Sequence, residues 1–360
     1  MVNNHLIDTF FRLVQIDSES GDEIRVIQFL KDYFERKFQA ECIIDSYGNL
    51  IARVPPKNSS RSEPVLFGMH ADTVKPGKGI EPVLEDGVIR SKGATILGAD
   101  DKAGIAELIE GLRTAECYPP LEIVISKEEE IGHLGVKNLD ASMLRSKMGF
   151  VLDSSDLDTI IIGGPSNMFI DVEIIGKAAH AGMDPEKGIS AIKAASYAVA
   201  ILKEGWIDAE TTVNVGTIQG GSVRNSVPEK AELQVQCRSL NHDKCIHQSE
   251  LVKQVFETAA LSIGARAEVK LNMAYQAMKV PENAEVVKVV QKAIDAIGLK
   301  PQLRIIGGGS DASEYNAKGI QSVVIGTGGH LGHSVDEYVY VDDLQQAARL
   351  IKEILLILSE

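Results

Sequence analysis

Three short apolar runs constrain the fold of this chain more than any other feature of its sequence. They cover residues 65–69, 121–126 and 148–152, and a helix is predicted from about residue 101 to about residue 117. Continuous apolar runs of this length are typical of strands buried on both faces of a sheet. The order strand, helix, strand, strand predicts an α/β domain whose mixed sheet is flanked by helices. Such sheets bind ligands at the carboxyl ends of their strands.

A change of pattern near residue 164 predicts a second domain, inserted into the first. Acidic and apolar residues begin to alternate there, as in an antiparallel strand with one wet face. The inserted α+β unit is predicted to be a four-stranded sheet with two helices, with strands at 169–175, 212–216, 231–238 and 266–272 and helices at 190–203 and 243–261. Later elements return to the first fold, at 284–297, 321–325 and 342–358. We therefore predict a discontinuous domain, residues 1–163 and 277–360, and an inserted domain, residues 164–276.

The charge balance argues against two classes of partner. The 360 residues include 51 acidic and 37 basic side chains, a formal net charge of −14, and the acids are spread along the chain. Such a chain disfavours nucleic acid and membrane surfaces, and no apolar run approaches the ~20 residues that cross a bilayer. The four cysteines form no C-x-x-C pair, so neither a disulfide framework nor a thiolate zinc site is indicated. We expect a cytoplasmic protein.

Ionisable residues follow the buried runs at the points where the strands should end. His70 and Asp72 stand two residues apart after the first run, so their side chains project to one side. Asp72 is then placed to hold the His70 ring, as carboxylates commonly hold metal-bound imidazoles. A surface histidine beside an acid explains the same pair, and this short motif alone does not decide between them.

Two further acidic clusters have ordinary explanations of their own. Asp100 and Asp101 open the predicted helix, where an aspartate caps free N–H groups, yet capping accounts for only one of the two. Residues 128–130 are three glutamates directly after the second run, where a solvated loop is the common outcome. Asp153 ends the third run in the same way. Their shared position at strand ends favours a site over simple solvation.

A glycine-rich segment after the last predicted strand adds two histidines. His330 and His333 are three residues apart, which suits one ligand and one bystander. Four or five strand ends thus supply His, Asp or Glu, a coincidence that capping and solvation do not account for. Imidazole and carboxylate without thiolate suit zinc, cobalt or manganese, and a carboxylate can bridge two ions ~3.5–4 Å apart. We therefore predict a site for two divalent metal ions, with zinc as the first candidate.

These motifs resemble the co-catalytic dizinc metallopeptidase family that includes peptidase T, carboxypeptidase G, aminoacylases and succinyl-diaminopimelate desuccinylase. The resemblance covers essentially the whole chain and is strongest to peptidase T-like proteins. It rests on the aspartate after the third run and on four segments, which are H-A-D-T-V at 70–74, G-A-D-D-K-A-G at 98–104, E-E-I-G at 129–132 and G-G-x-x-x-H at 328–333. It implies a zinc-peptidase-like fold whose inserted domain serves as a lid and a dimerisation domain.

The resemblance also implies a role for each candidate residue of the metal centre. The implied ligands are His70 and Asp153 on one ion, Glu130 and His333 on the other, and Asp100 as the bridge between them. Asp72 would orient the first histidine. Glu129 would be the general base, because the family pattern places the base three residues before Gly132.

Four more residues resemble substrate-binding positions of the family. His180, in G-K-A-A-H-A-G, resembles a histidine that steadies the developing oxyanion, often in the partner subunit's active site. Asn225 and Arg238 resemble residues that hold the polar and carboxylate groups of the substrate, for which arginine is suited. Ser310 lies in G-G-S-D-A, which resembles the glycine-rich wall of the pocket. Without the family context, ordinary strand-end side chains explain the first three about as well.

The implied activity is metal-dependent hydrolysis of small peptides, of the tripeptide aminopeptidase type, by a homodimer associated through the inserted domain. A deacylase of N-acyl amino acids and a non-catalytic binding protein are the alternatives. Asp153 favours the peptidase, because relatives with aspartate at this position lean toward aminopeptidases or dipeptidases and those with glutamate toward acylases and carboxypeptidases. The presence of every expected ligand and of the base disfavours the binding protein.

Overall fold

The computed structural model describes residues 4–359, which fold into two compact units. The first unit runs to Gly163 and resumes at Met278, and the second comprises Gly164–Ala277. Numbered along the chain, the helices are α1 (Asn4–Val14), α2 (Ile24–Phe38), α3 (Ala99–Thr114), α4 (Leu134–Asn138), α5 (Ala191–Ile201), α6 (His242–Ser262), α7 (Glu285–Ala296), α8 (Asp311–Ala317) and α9 (Val341–Ser359). None of these helices is both long enough and apolar enough to cross a membrane.

The strands are numbered in the same way and form three sheets. They are β1 (Glu41–Ile44), β2 (Leu50–Val54), β3 (Val65–His70), β4 (Pro82–Glu85), β5 (Val88–Ser91), β6 (Leu121–Ser126), β7 (Met148–Ser154), β8 (Thr159–Gly164), β9 (Ser166–Ile175), β10 (Gly205–Trp206), β11 (Thr211–Gly220), β12 (Lys230–Ser239), β13 (Arg266–Tyr275), β14 (Met278–Lys279), β15 (Gln302–Ile305), β16 (Gln321–Gly326), β17 (Gly329–His330) and β18 (Tyr338–Tyr340).

A nine-stranded mixed sheet organises the first unit. Its strands follow the order β1-β2-β6-β3-β7-β16-β8-β14, with β15 paired to β8, and a smaller sheet has the order β17-β18-β5-β4. β3 runs parallel to β6 and β7, and β7 runs parallel to β16. The carboxyl ends of these four central strands therefore lie along one edge of the sheet. The predicted α/β class is confirmed.

Apolar cores cover both faces of this sheet. Phe67 and Phe150 lie in the larger core with α1, α2, α3, α7 and α9, and their ring centroids are 5.3 Å apart. Their neighbours Leu66 and Val151 point to a smaller core that includes residues of α4 and α8. Burying one such side chain contributes about 1.5–3 kcal/mol. Because both faces are buried, these strands have continuous apolar sequences, which is the pattern that predicted them.

The second unit is an antiparallel sheet with α5 and α6 on one face. Its strand order is β10-β11-β12-β9-β13, in which β9, β11, β12 and β13 each have ten residues and β10 adds a two-residue edge. Ile170, Val172 and Ile174 of β9 lie in the core beneath the helices. Asp171, between them, is exposed on the opposite face. The predicted four-stranded α+β unit is confirmed.

One buried carboxyl group of α3 makes stability depend on pH. Glu107 is 0% exposed, and neither of its carboxyl oxygens has a hydrogen-bond partner within residues 4–359. Burial raises the pKa of Glu107 well above the usual 4.5, and the negative charge of Asp343 raises it further. The folded protein therefore retains a proton that the unfolded chain releases. Its stability falls as the pH rises from about 4.5 through the higher folded-state pKa.

We predict that Glu107→Gln stabilises the protein at neutral and alkaline pH. The amide keeps the shape of the side chain but has no charged form, so the gain should be small below pH 4.5 and reach about 1–3 kcal/mol at pH 8. Urea unfolding of the metal-loaded protein at several pH values measures it. Glu116→Gln, at an exposed residue just beyond α3, should follow the wild-type pH dependence. A gain that does not change with pH would contradict the prediction.

Candidate metal centre

Ionisable side chains converge at the carboxyl edge of the central sheet. His70 is the last residue of β3, Asp153 lies near the end of β7, and Glu130 follows β6. Three groups of potential metal donors lie there, each with its donor atoms within 4.8 Å of one another, and they are His70/Asp100/Asp153, Asp100/Glu130/His333 and His70/Glu129/Glu130. The structure thus brings all five predicted ligands together, with Glu129 among them.

Asp100 stands between the two histidines. Its Oδ1 is 3.1 Å from Nε2 of His70, and its Oδ2 is 3.3 Å from Nε2 of His333. Gly332 lies so near that a Cβ atom there would be 3.3 Å from the same Oδ2. One carboxylate therefore presents one oxygen to each imidazole, which is the arrangement that a bridge between two cations requires.

Glu130 and Asp153 lie on either side of Asp100, and each faces one histidine. Glu130 Oε2 is 2.9 Å from Nε2 of His333, and Asp153 Oδ1 is 4.0 Å from Nε2 of His70. The Ser310 hydroxyl, which the sequence placed in the pocket wall, donates a hydrogen bond of 2.8 Å to Asp153 Oδ2. In this structure the Ser310 hydroxyl therefore helps to orient Asp153, a candidate metal ligand.

Asp72 links the parts of the centre. Its carboxylate is fully buried and accepts hydrogen bonds from the backbone N–H groups of Glu129 at 3.0 Å and Glu130 at 3.3 Å. The Ser20 hydroxyl donates to it at 2.7 Å. Nδ1 of His70 lies 3.4 Å from Asp72 Oδ1 and 3.0 Å from the Asp72 carbonyl oxygen. Asp72 thus contacts the ring of one candidate ligand and the backbone of another.

Burial and neighbouring charges shift the pKa values of the ionisable side chains in this centre, some upward and one downward. Burial raises the pKa of Glu129 to about 8 and that of Asp153 well above its usual range, and neighbouring carboxylates add to both shifts. Burial also opposes ionisation of Asp100, but hydrogen bonds with His333 and His70 lower its pKa. Burial disfavours the charged form of His70, yet hydrogen bonds with Asp100 and Asp72 raise its pKa well above 6.5. A site of this kind is electrostatically suited to cations.

The donor set fits a pair of divalent metal ions. Glu130 Oε1 is buried and has no hydrogen-bond partner in the described part of the chain, as expected of an oxygen whose partner is a cation. The donors are imidazole nitrogens and carboxylate oxygens without thiolate, a combination that zinc, cobalt and manganese accept. The residues present therefore fit the group that their motifs predicted.

The structure adds two residues that sequence reasoning assigned no role. Glu337 is 2% exposed and accepts hydrogen bonds from the N–H groups of Gly98 at 2.7 Å and Asp100 at 3.1 Å. His133 places Nε2 3.2 Å from Glu129 Oε1, and both side chains are nearly buried. The only sequence signals were an acid four residues after His333 and a histidine four residues after Glu129.

The remaining three predicted residues, His180, Asn225 and Arg238, belong to the second unit. His180 forms an isolated β-bridge with Ser226, and the N–H of Ala181 donates to the Asn225 carbonyl at 3.0 Å. The side chains of His180 and Asn225 are both exposed. Arg238 lies in β12, opposite Asn167 of β9 in the ladder. Their roles in substrate binding stay predictions.

Known proteins resemble this chain along its whole length. The profile of peptidase family M20/M25/M40 matches residues 66–357. The chain is 37% identical to the Bacillus subtilis protein YqjE, itself uncharacterised, with 99% of each chain covered.

Two solved structures show the same fold at 35% sequence identity. Aminopeptidase PepT from Bacillus cereus superposes with a TM-score of 0.92 and 99% of each chain covered. A tripeptidase from Staphylococcus aureus superposes with a TM-score of 0.94, over 100% of this chain and 99% of the other. As its motifs and donor geometry indicate, the chain belongs to peptidase family M20/M25/M40.

Proposed function

We propose that this protein hydrolyses small peptides from their amino end, in the manner of a tripeptide aminopeptidase, with two divalent metal ions of which zinc is the first candidate. The observation that carries the proposal is Asp100, whose two oxygens face His70 and His333, with the Glu129 carboxylate among the same donors. Two proteins 35% identical to this one bear the names aminopeptidase and tripeptidase, which supports the substrate class.

The proposed mechanism divides the work between ligands and base. When bound, two divalent ions polarise the scissile carbonyl and make water a better nucleophile near pH 7. The residues that would hold them are His70 and Asp153 for one ion, Glu130 and His333 for the other, and Asp100 for both. Glu129 accepts the proton of the attacking water and delivers it to the leaving amine. Asp72 keeps Glu129 and Glu130 in register through its bonds to their backbone N–H groups.

The inserted domain supplies the remaining groups in this proposal. His180 would steady the developing oxyanion, and Asn225 and Arg238 would hold the substrate's polar and carboxylate groups. A hydrogen-bond donor placed at a developing oxyanion is typically worth about 100- to 1,000-fold in rate.

We predict that Glu129→Gln lowers kcat by roughly 100- to 10,000-fold, because the amide cannot take a proton from water. The amount of bound metal, measured by elemental analysis, should stay within the wild-type range. Glu128→Gln is the matched control, since the neighbouring Glu128 carboxylate accepts a hydrogen bond from Tyr47 instead. Near-normal turnover of Glu129→Gln would refute its assignment as the base.

A substrate panel tests the reaction class. Dipeptides, tripeptides and N-acetyl or N-succinyl amino acids would be compared with the enzyme loaded separately with zinc, cobalt and manganese. We expect kcat/KM for peptides with a free amino end to exceed that for acyl amino acids at least 100-fold. Cleavage restricted to acyl substrates would replace the peptidase with a deacylase.

The inserted domain carries a surface suited to a second copy of the chain. β10 pairs with β11 only at Thr212 and Val213. Beyond Val213, as far as Gly220, the edge of β11 that faces away from β12 pairs with no strand within residues 4–359. Large apolar side chains on α5 and on β10 and β11 are exposed, namely Tyr197 at 46%, Ile201 at 50%, Trp206 at 70% and Ile218 at 51%. An open edge flanked by apolar side chains favours pairing between identical strands across a two-fold axis. We infer a homodimer formed through this surface.

Charged substitutions on α5 test the proposed dimer interface. Tyr197→Glu combined with Ile201→Glu should shift the protein from dimer to monomer at micromolar concentration, measured by light scattering after size exclusion. Leu261→Glu changes a residue of α6 that is 75% exposed and should leave the mass unchanged. A wild-type monomer, or a doubly substituted dimer, would rule this interface out.

A further inference from the structure

The imidazole of His133 faces the carboxylate assigned as the base. Its Nε2 lies 3.2 Å from Glu129 Oε1, and the two side chains are only 7% and 11% exposed. Among the described residues, the groups of potential metal donors do not include His133. An ionised carboxylate offers only acceptors, so a hydrogen bond between these atoms requires that the ring nitrogen donate.

The local backbone holds His133 against Glu129. The N–H groups of Gly132 and His133 both donate to the Glu129 carbonyl, at 2.9 and 2.8 Å. His133 itself has a left-handed backbone with φ of 56°, which is uncommon for a residue with a side chain. Next to it, a Cβ atom on Gly135 would lie 2.3 Å from the carbonyl oxygen of Lys127, so α4 can begin here only with glycine at that position. The fold of the turn thus fixes the backbone of His133, and it places the nearly buried ring beside Glu129.

We propose that His133 is a positioning residue that donates a hydrogen bond from Nε2 to Glu129 Oε1 and thereby fixes which carboxylate oxygen faces the reacting water. The inference rests on the proposed function, because it takes Glu129 as the base. A carboxylate held through one oxygen keeps the other oriented, whereas a carboxylate without this bond rotates among several orientations. Positioning of this kind acts on kcat, since it is needed for proton transfer and not for binding the substrate.

Three variants separate the hydrogen bond from the packing of the ring. His133→Phe keeps a ring without a donor, His133→Ala removes the ring, and His133→Gln restores an N–H group at similar reach. We expect the first two to lower kcat about 10- to 100-fold, the usual effect of removing a group that orients another, with KM and bound metal within twofold. His133→Gln should recover most of the lost kcat. His5→Ala is the control, because His5 makes a similar contact with another carboxylate, 3.0 Å from Glu110 Oε2.

A double-mutant cycle tests whether His133 acts through Glu129. In the Glu129→Gln background, His133→Phe should cause no further loss of the residual turnover, because the group that it positions is no longer a base. Losses that multiply would show a structural role and overturn the inference, as would loss of metal in His133→Phe or a kcat equal to that of the wild type. If His133→Phe does not fold, His133→Ala and His133→Gln carry the same cycle.

The outcomes distinguish this inference from the proposed function. If Glu129→Gln retains normal turnover, the assignment of the base falls and the role of His133 falls with it. If Glu129→Gln is inactive while His133→Ala and His133→Phe match the wild type, the base stands and only the positioning role is wrong.

Discussion

The carboxylate of Asp72 is the contact on which the geometry of the centre depends. It is fully buried just beyond the end of β3, where it lies beside the His70 ring and accepts hydrogen bonds from the backbone N–H groups of Glu129 and Glu130. The Ser20 hydroxyl satisfies it further. A buried carboxylate that lost these donors would carry an unpaired charge, at a cost of several kcal/mol. The same requirement that keeps Asp72 hydrogen-bonded therefore keeps the ends of two neighbouring strands in register.

The acids of the centre fall into two groups according to the partners of their carboxylate oxygens. Asp72 and Glu337 accept backbone N–H groups, and those bonds fix the loops that carry the neighbouring residues. Glu130 retains a buried oxygen without a partner in the described chain, while Asp100 faces two imidazoles. The first group is complete without any added ion. The second group lacks a partner for some of its oxygens, and a bound cation would supply one.

Sequence patterns predicted the central sheet because strands buried on both faces must be apolar throughout. The ends of those strands then located His70 and Asp153, but their partners come from elsewhere in the chain. β8 was missed because its apolar run, T-I-I-I-G-G, has only three large apolar residues before two glycines. α8 was missed because its seven residues, D-A-S-E-Y-N-A, are buried by tertiary packing and show no apolar periodicity of their own. The same limit hid His133, which is recognisable only once the turn brings its ring to Glu129. For Ser310, the glycine-rich motif placed the residue near the site, but its hydrogen bond to Asp153 depends on how the chain folds and has no signal in the sequence.

Three consecutive glutamates illustrate how one loop gives identical side chains different surroundings. Glu128 has a left-handed backbone with φ of 52°, and its carboxylate meets the Tyr47 hydroxyl. The next two residues donate their N–H groups to Asp72, yet Glu129 turns its side chain to His133 and Glu130 turns to His333. A solvated acidic loop would leave all three equivalent. Because each carboxylate has its own partner, neighbouring residues can differ in their chemistry, which the proposed base needs beside a candidate metal ligand.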